Sequence, residues 1–151
     1  MIGLRIAAAV LLGTSLLTVA GSVLGEIVAT MPPLFRAGDV DALVRAGIQY
    51  EEVAFPTGDG LTLRGWFFPA EEPDAPAVLY APGTAHDQRS GLSLVPAFHA
   101  AGYHVLLFSY RGHAQSDGTR WGFTYGDAES RDLDAAVRFL RGEKEIGRAH
   151  V

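Results

Sequence analysis

Cysteine is absent from the 151 residues, which excludes a disulfide framework, a thiolate metal site and a cysteine nucleophile. The absence does not choose a compartment, because a chain without thiols is stable in oxidising and reducing surroundings alike. Positive charge is scarce too. The 12 Lys and Arg stand against 17 Asp and Glu, a net charge of −5, so the basic footprint that nucleic acid requires is missing. No glycine-rich fingerprint opens a helix after either buried-strand pattern described below, which argues against nucleotide binding. No carboxylate or second histidine lies at metal-ligand spacing from His86 or His99, so these read as a loop residue and a helix-face residue, and no metal or cofactor is expected.

Charge is missing altogether from Ile6 to Gly25. As a helix, such a run reaches about 30 Å, enough to cross a hydrocarbon core. Residues 1–28 are therefore expected to form a single-pass signal anchor. Arg5 and the amine would lie on the cytoplasmic side, with the remaining chain extracytoplasmic. Thr18-Val19-Ala20 before Gly21 is a passable cleavage site, which makes a removed signal peptide the second reading. Residues 29–48, with Met31-Pro32-Pro33, read as a juxtamembrane linker carrying a short helical pattern at Val40–Val44.

From Tyr50 the pattern becomes regular. Tyr50–Phe55 and Leu61–Phe68 are strand-like runs joined by the turn Pro56-Thr57-Gly58-Asp59-Gly60. Ala77–Tyr80 and His104–Phe108 are short continuous apolar runs, the pattern of strands buried on both faces. Leu92–Ala101 reads as a helix with Ser93 as N-cap, Pro96 in its first turn and Gly102 at its end. Tyr110–Phe123 reads as a long loop. A final helix opens on a capping box of Thr124 with Asp127, carries the stripe Leu133, Ala136, Val137, Leu140, and stops at Gly142. A hairpin followed by strand, helix, strand, helix predicts an α/β layer fold over 49–145.

These residues carry a resemblance. Tyr50-Glu51-Glu52-Val53 with Asp59-Gly60-Leu61-Thr62-Leu63-Arg64-Gly65-Trp66-Phe67 resembles the opening hairpin of the α/β-hydrolase superfamily. Within it the chain is most similar to membrane-tethered lysophospholipase-like or serine-aminopeptidase-like hydrolases. Ala101-Gly102-Tyr103-His104-Val105-Leu106-Leu107 followed by Tyr110-Arg111-Gly112-His113-Ala114-Gln115-Ser116-Asp117-Gly118 is similar to that branch's fourth strand and the loop after it. Thr124-Tyr125-Gly126, Glu129, Asp132-Leu133, Ala136-Val137 and Leu140 are similar to its next helix. The likeness spans Tyr50 to Arg141.

The resemblance implies the N-terminal part of a serine hydrolase acting on a small-molecule or lipid ester, or on a related acyl bond. Its nucleophile would stand on a G-x-S-x-G elbow after the fifth strand, with acid and histidine later still. No G-x-S-x-G occurs in the chain. Gly91-Leu92-Ser93 lacks the closing glycine, and Ala114-Gln115-Ser116-Asp117-Gly118 follows the wrong strand. The nucleophile, acid and base are therefore expected beyond Val151, and the chain by itself is expected to be inactive. One catalytic element is expected within it. The loop Ala81-Pro82-Gly83-Thr84-Ala85-His86 would lend the Thr84 N–H to an oxyanion hole, with Gly83 letting the backbone come close. The family usually has His-Gly where Pro82-Gly83 stands. His113 and Asp117 are expected in turns, and Glu129 and Asp132 are expected to complement a helix dipole. Residues 146–151 break the family pattern and coincide with one reading frame of a sequencing-library adapter, which predicts a non-native tail. Two other readings remain open: an Asp-nucleophile dehalogenase or epoxide hydrolase on the same fold, and a membrane-tethered binding domain without catalysis.

Overall fold

In the computed structural model, which describes residues 2–30, 38–119, 124–146 and 149–150, one mixed sheet of five strands runs in the order β1-β2-β4-β3-β5. The strands are β1 (Glu51–Pro56), β2 (Thr62–Phe68), β3 (Ala77–Tyr80), β4 (His104–Ser109) and β5 (Ala149–His150). β1 and β2 form the expected antiparallel hairpin, with Glu52 opposite Trp66 and Ala54 opposite Arg64. β2 pairs antiparallel with β4, and β3 pairs parallel with β4. All six residues of β4 are buried, which is why its sequence shows no alternation.

The sheet is covered on both faces. Phe55, Leu63, Phe67, Leu106 and Phe108 pack under Ala135, Ala136, Phe139 and Leu140 of α4 (Asp127–Gly142). Trp66, Phe68, Val105 and Leu107 pack under Leu92 and Val95, with Val40 and Leu43 of α2 (Val40–Arg45) against them. This corrects the expected linker: its second half docks on the core, because Val40, Leu43 and Ile48 lie on one apolar side. Residues 31–37 of that linker lie outside the described residues.

The helix expected from Leu92 to Ala101 is split. A 3-10 helix covers Gln88–Leu94 and α3 covers Val95–Ala100. Pro96 has no N–H to offer the Leu92 carbonyl four residues back, so Leu92 takes the Val95 N–H at 3-10 spacing. Asp87, not Ser93, caps this segment, its Oδ1 accepting the Arg89 N–H at 2.9 Å. The cap of α4 also differs from expectation. Gly126 is the N-cap and Glu129, not Asp127, reaches back to accept the Gly126 N–H (2.9 Å), while the Thr124 hydroxyl accepts the Ala128 N–H (2.8 Å).

α1 (Ile2–Thr30) is the expected continuous helix. Leu12 and Leu17 are 72% and 74% exposed, and the hydroxyls of Thr18 and Ser22 donate back to the carbonyls of Thr14 and Thr18. The expected membrane span finds no support. The helix's described side chains, 11–27, reach about 26 Å, and among the described residues no helix is long and apolar enough to cross a membrane.

β5 lies parallel to β3, with Ala77 opposite Ala149 and Val78 opposite His150. The expected tail thus sits where a strand is called for, and Ile146 ahead of it is 3% exposed in the core. The open edge of β3 offers N–H and C=O groups, and these accept an extended backbone whatever its side chains are.

Candidate functional site

β3 and β4 are parallel and in register, Tyr80 beside Leu107, so the loops that leave them emerge at the same edge of the sheet. That edge is where open α/β sheets bind ligands. The loop after β3 makes a turn in which the His86 N–H donates to the Gly83 carbonyl at 3.1 Å and the His86 ring Nδ1–H donates to the Thr84 carbonyl at 2.8 Å. Among the described residues the Thr84 N–H has no acceptor. A Cβ built on Gly83 would meet no atom within 4 Å, so the chain's own packing does not require glycine there and the space is open. The Gln88 N–H donates to Ser109 Oγ at the end of β4 (3.2 Å), and the Ser109 hydroxyl donates to Gln88 Oε1. The Tyr80 hydroxyl donates to Ser90 Oγ at 3.1 Å. The loop is held by side chains on both strands that flank it.

The loop after β4 is fastened from three sides. Arg111 donates through Nε and Nη2 to Asp132 Oδ1 (2.9 and 2.7 Å), and its own backbone N–H donates to Asp132 Oδ2 (2.9 Å). Its Nη1 reaches Asp59 Oδ2 in the hairpin turn at 2.8 Å. Asp132 is fully buried. Its contact raises the Arg111 guanidinium above its ordinary value, against the burial that opposes the charge, and Asp59 adds to the rise. Asp59 in turn is held well below the usual carboxylate range, first by Arg111 and then by the Thr57 hydroxyl. Sequence reasoning missed this clamp. The signal was present, because Asp132 falls on the same helical face as Ala128, Ala135, Ala136 and Phe139, where a lone carboxylate needs a partner.

Ser116 is no nucleophile: its hydroxyl donates to the Ser109 carbonyl (2.8 Å, buried) and accepts the Arg64 N–H (2.9 Å, part-buried), both ties between loop and strands. Asp117 accepts the Thr62 N–H at 3.0 Å, a tie from the loop to the start of β2 and not a local turn bond. His113 is buried, with its Nδ1–H donating to the Arg111 carbonyl at 3.0 Å. His99 hydrogen-bonds the Pro69 carbonyl at 3.0 Å, and among the described residues no His, Asp and Glu group is arranged to hold a metal. Burial pushes the Glu129 carboxyl up. The Thr124 hydroxyl and the N–H groups of Thr124 and Gly126 outweigh that and hold it below its ordinary value. Burial raises the Tyr110 phenol, and Glu129 and Asp132 raise it further.

Backbone strain gathers at this edge. Of the four left-handed non-glycine residues among the described residues, Ala85, Ala114 and Tyr125 (φ 58°, 48° and 53°) lie in the loop after β3 and along the connection from β4 to α4, and Glu145 (φ 53°) follows α4. Such conformations persist where the surroundings over-determine them, and they concentrate at working sites.

No family model matches the chain. An uncharacterised protein of Mycobacterium tuberculosis strain H37Rv is 34% identical over 101 residues, covering 66% of this chain and 34% of its own. A polyketide transferase of Penicillium is 41% identical over 68 residues, 44% of this chain and 23% of its own. Among solved structures, an esterase of Pyrococcus furiosus superposes with a TM-score of 0.63 at 25% identity, over 80% of this chain and 46% of its own. An α/β hydrolase from Penicillium gives 0.58 at 32% identity, over 63% and 33%. The chain spans about a third of the length of that Mycobacterium relative and less than half of that esterase.

Proposed function

Because the chain belongs by fold to the α/β hydrolases, matching their N-terminal part, we propose that it is the opening part of a serine hydrolase that cleaves esters or related acyl bonds. The observation that carries this reading is the unengaged Thr84 N–H on a pinned loop at the edge where β3 and β4 end. There the Thr84 amide donates to the oxygen on which negative charge develops, and Gly83 leaves room for the reacting carbonyl. The nucleophile is assigned to an elbow on a strand beside β3, with its acid and base further along. α1 is assigned as a tether that holds the hydrolase domain at a bilayer surface. Its described, exposed Leu and Val side chains lack a protein surface to cover them.

A fluorophosphonate probe applied to the natural gene product tests the catalytic part. A labelled serine at the elbow, with ester turnover lowered about 100- to 1,000-fold by Thr84→Pro, which removes the amide hydrogen, supports it. An aspartate at the elbow, or no labelling, overturns it. Alkaline extraction tests the tether, and release of the intact chain into the soluble fraction counts against it.

A further inference from the structure

The hairpin carries a polar cavity that the hydrolase reading does not use. Glu52 of β1 and Arg64 and Trp66 of β2 project from one face of the sheet, and with Gln88 and Gln115 they line an open cavity of about 200 Å³. Glu52 and Arg64 are diagonal neighbours of opposite charge, the arrangement that ordinarily yields a cross-strand ion pair. Neither has an ion-pair partner among the described residues. Gln88 is 6% exposed, and its Oε1 accepts from Ser109. Its amide N–H groups have no acceptor among the described residues.

We propose that this cavity binds a small zwitterion of the α-amino-acid class. Arg64 takes the carboxylate, for which its planar fork is suited. Glu52 takes the ammonium, and the carboxamides of Gln88 and Gln115 complete the carboxylate's hydrogen bonds. The size fits: about 200 Å³ holds some six or seven water-sized groups of about 30 Å³ each, which is the heavy-atom count of a small amino acid. Opposite charges held apart on one face suit a ligand carrying both signs, whereas a simple anion would leave Glu52 unmatched.

The test is an NMR titration of the full chain in detergent micelles with L-alanine, and separately with acetate and methylamine, followed at the side-chain amides of Gln88 and Gln115 and the indole of Trp66. The expected result is saturable shifts with L-alanine, weakened at least about tenfold by Arg64→Gln and by Glu52→Gln alike, equivalent to about 1.4 kcal/mol each. Arg64→Lys is expected to fall between, and neither half-molecule to match L-alanine. Both positions are exposed, so an unchanged melting temperature in each variant separates lost binding from lost fold. No saturable shift with L-alanine overturns the proposal. So does acetate binding as tightly as L-alanine and indifferent to Glu52→Gln.

Discussion

At the residue scale, the fold depends on single polar groups placed among apolar neighbours. Asp132 ties α4 to the loop after β4 through Arg111, and Arg111 continues to the hairpin turn at Asp59. Removing Asp132 leaves the largely buried Arg111 guanidinium with only the half-exposed Asp59, and removing Arg111 leaves Asp132 buried and unpaired, each at a cost of up to about 3–5 kcal/mol. Asp132→Ala is accordingly expected to unfold or nearly unfold the domain, read by urea titration, whereas Arg131→Ala, on an exposed pair with Asp127, should lower stability by less than about 1 kcal/mol. Glu129 makes a pH prediction. Its folded value is depressed below the ordinary 4.5, so the stability it lends is present above 4.5 and is lost as pH falls through the lower folded value. Thermal melts of Glu129→Gln should therefore depend less on pH between about pH 5 and pH 3 than those of the parent chain.

At the element scale, close approach decides which glycines matter. A Cβ on Gly65 of β2 would lie 2.3 Å from the Leu107 carbonyl oxygen and 2.9 Å from Phe108 Cα, both backbone of β4. A Cβ on Gly91 would meet the Tyr80 ring at 2.6 Å and a Leu107 methyl at 2.8 Å, side-chain atoms that can give way only by repacking, since the Tyr80 ring is tied through its hydroxyl to Ser90. Both changes should destabilise, by about 1–3 kcal/mol for ordinary overpacking, with Gly65→Ala the worse because strands β2 and β4 would have to part. For a domain of this size, each kcal/mol lowers the melting temperature by about 4–8 °C, so calorimetry on the two variants resolves the order. The same 3-10 segment that brings Gly91 onto the sheet also places Gln88 against Ser109, so packing and site geometry share one element.

At the scale of the whole molecule, the sheet is asymmetric. β1, β2 and β4 are paired along their lengths. β3 has β4 on one side, and on the other β5 pairs only Ala77 and Val78. Along the rest of β3, an apolar cavity of about 270 Å³ opens beside Val78, Tyr80, Leu94 and Phe98. An apolar strand with a half-paired edge is a template for association. The 151-residue chain is expected to bind a hydrophobic dye, to aggregate once it has melted and to leave p-nitrophenyl esters at the buffer rate. Ester turnover sensitive to a serine inhibitor would contradict this, and with it the assignment of the nucleophile beyond Val151.

The sequence by itself determined the elements whose burial is uniform or strictly alternating. The hairpin turn, both parallel strands and the amphipathic α4 follow from local pattern, because strand and helix periods act over a few residues. It also placed the Gly83–Thr84 loop after β3 and the Tyr110–Gly118 loop after β4. Only the tertiary structure decided that these loops share an edge, since parallel pairing is a relation between residues about 27 apart in the chain, Tyr80 and Leu107. The structure alone also decided that Asp132 faces inward onto Arg111, that Ser116 is consumed by β2 and β4, and that Val40 and Leu43 cover the second face. Each is a contact between distant segments. The unpaired Glu52 and Arg64 belong with these, because pattern placed them on one face of the hairpin, whereas the cavity over them exists only once Gln88 and Gln115 arrive from elsewhere in the fold.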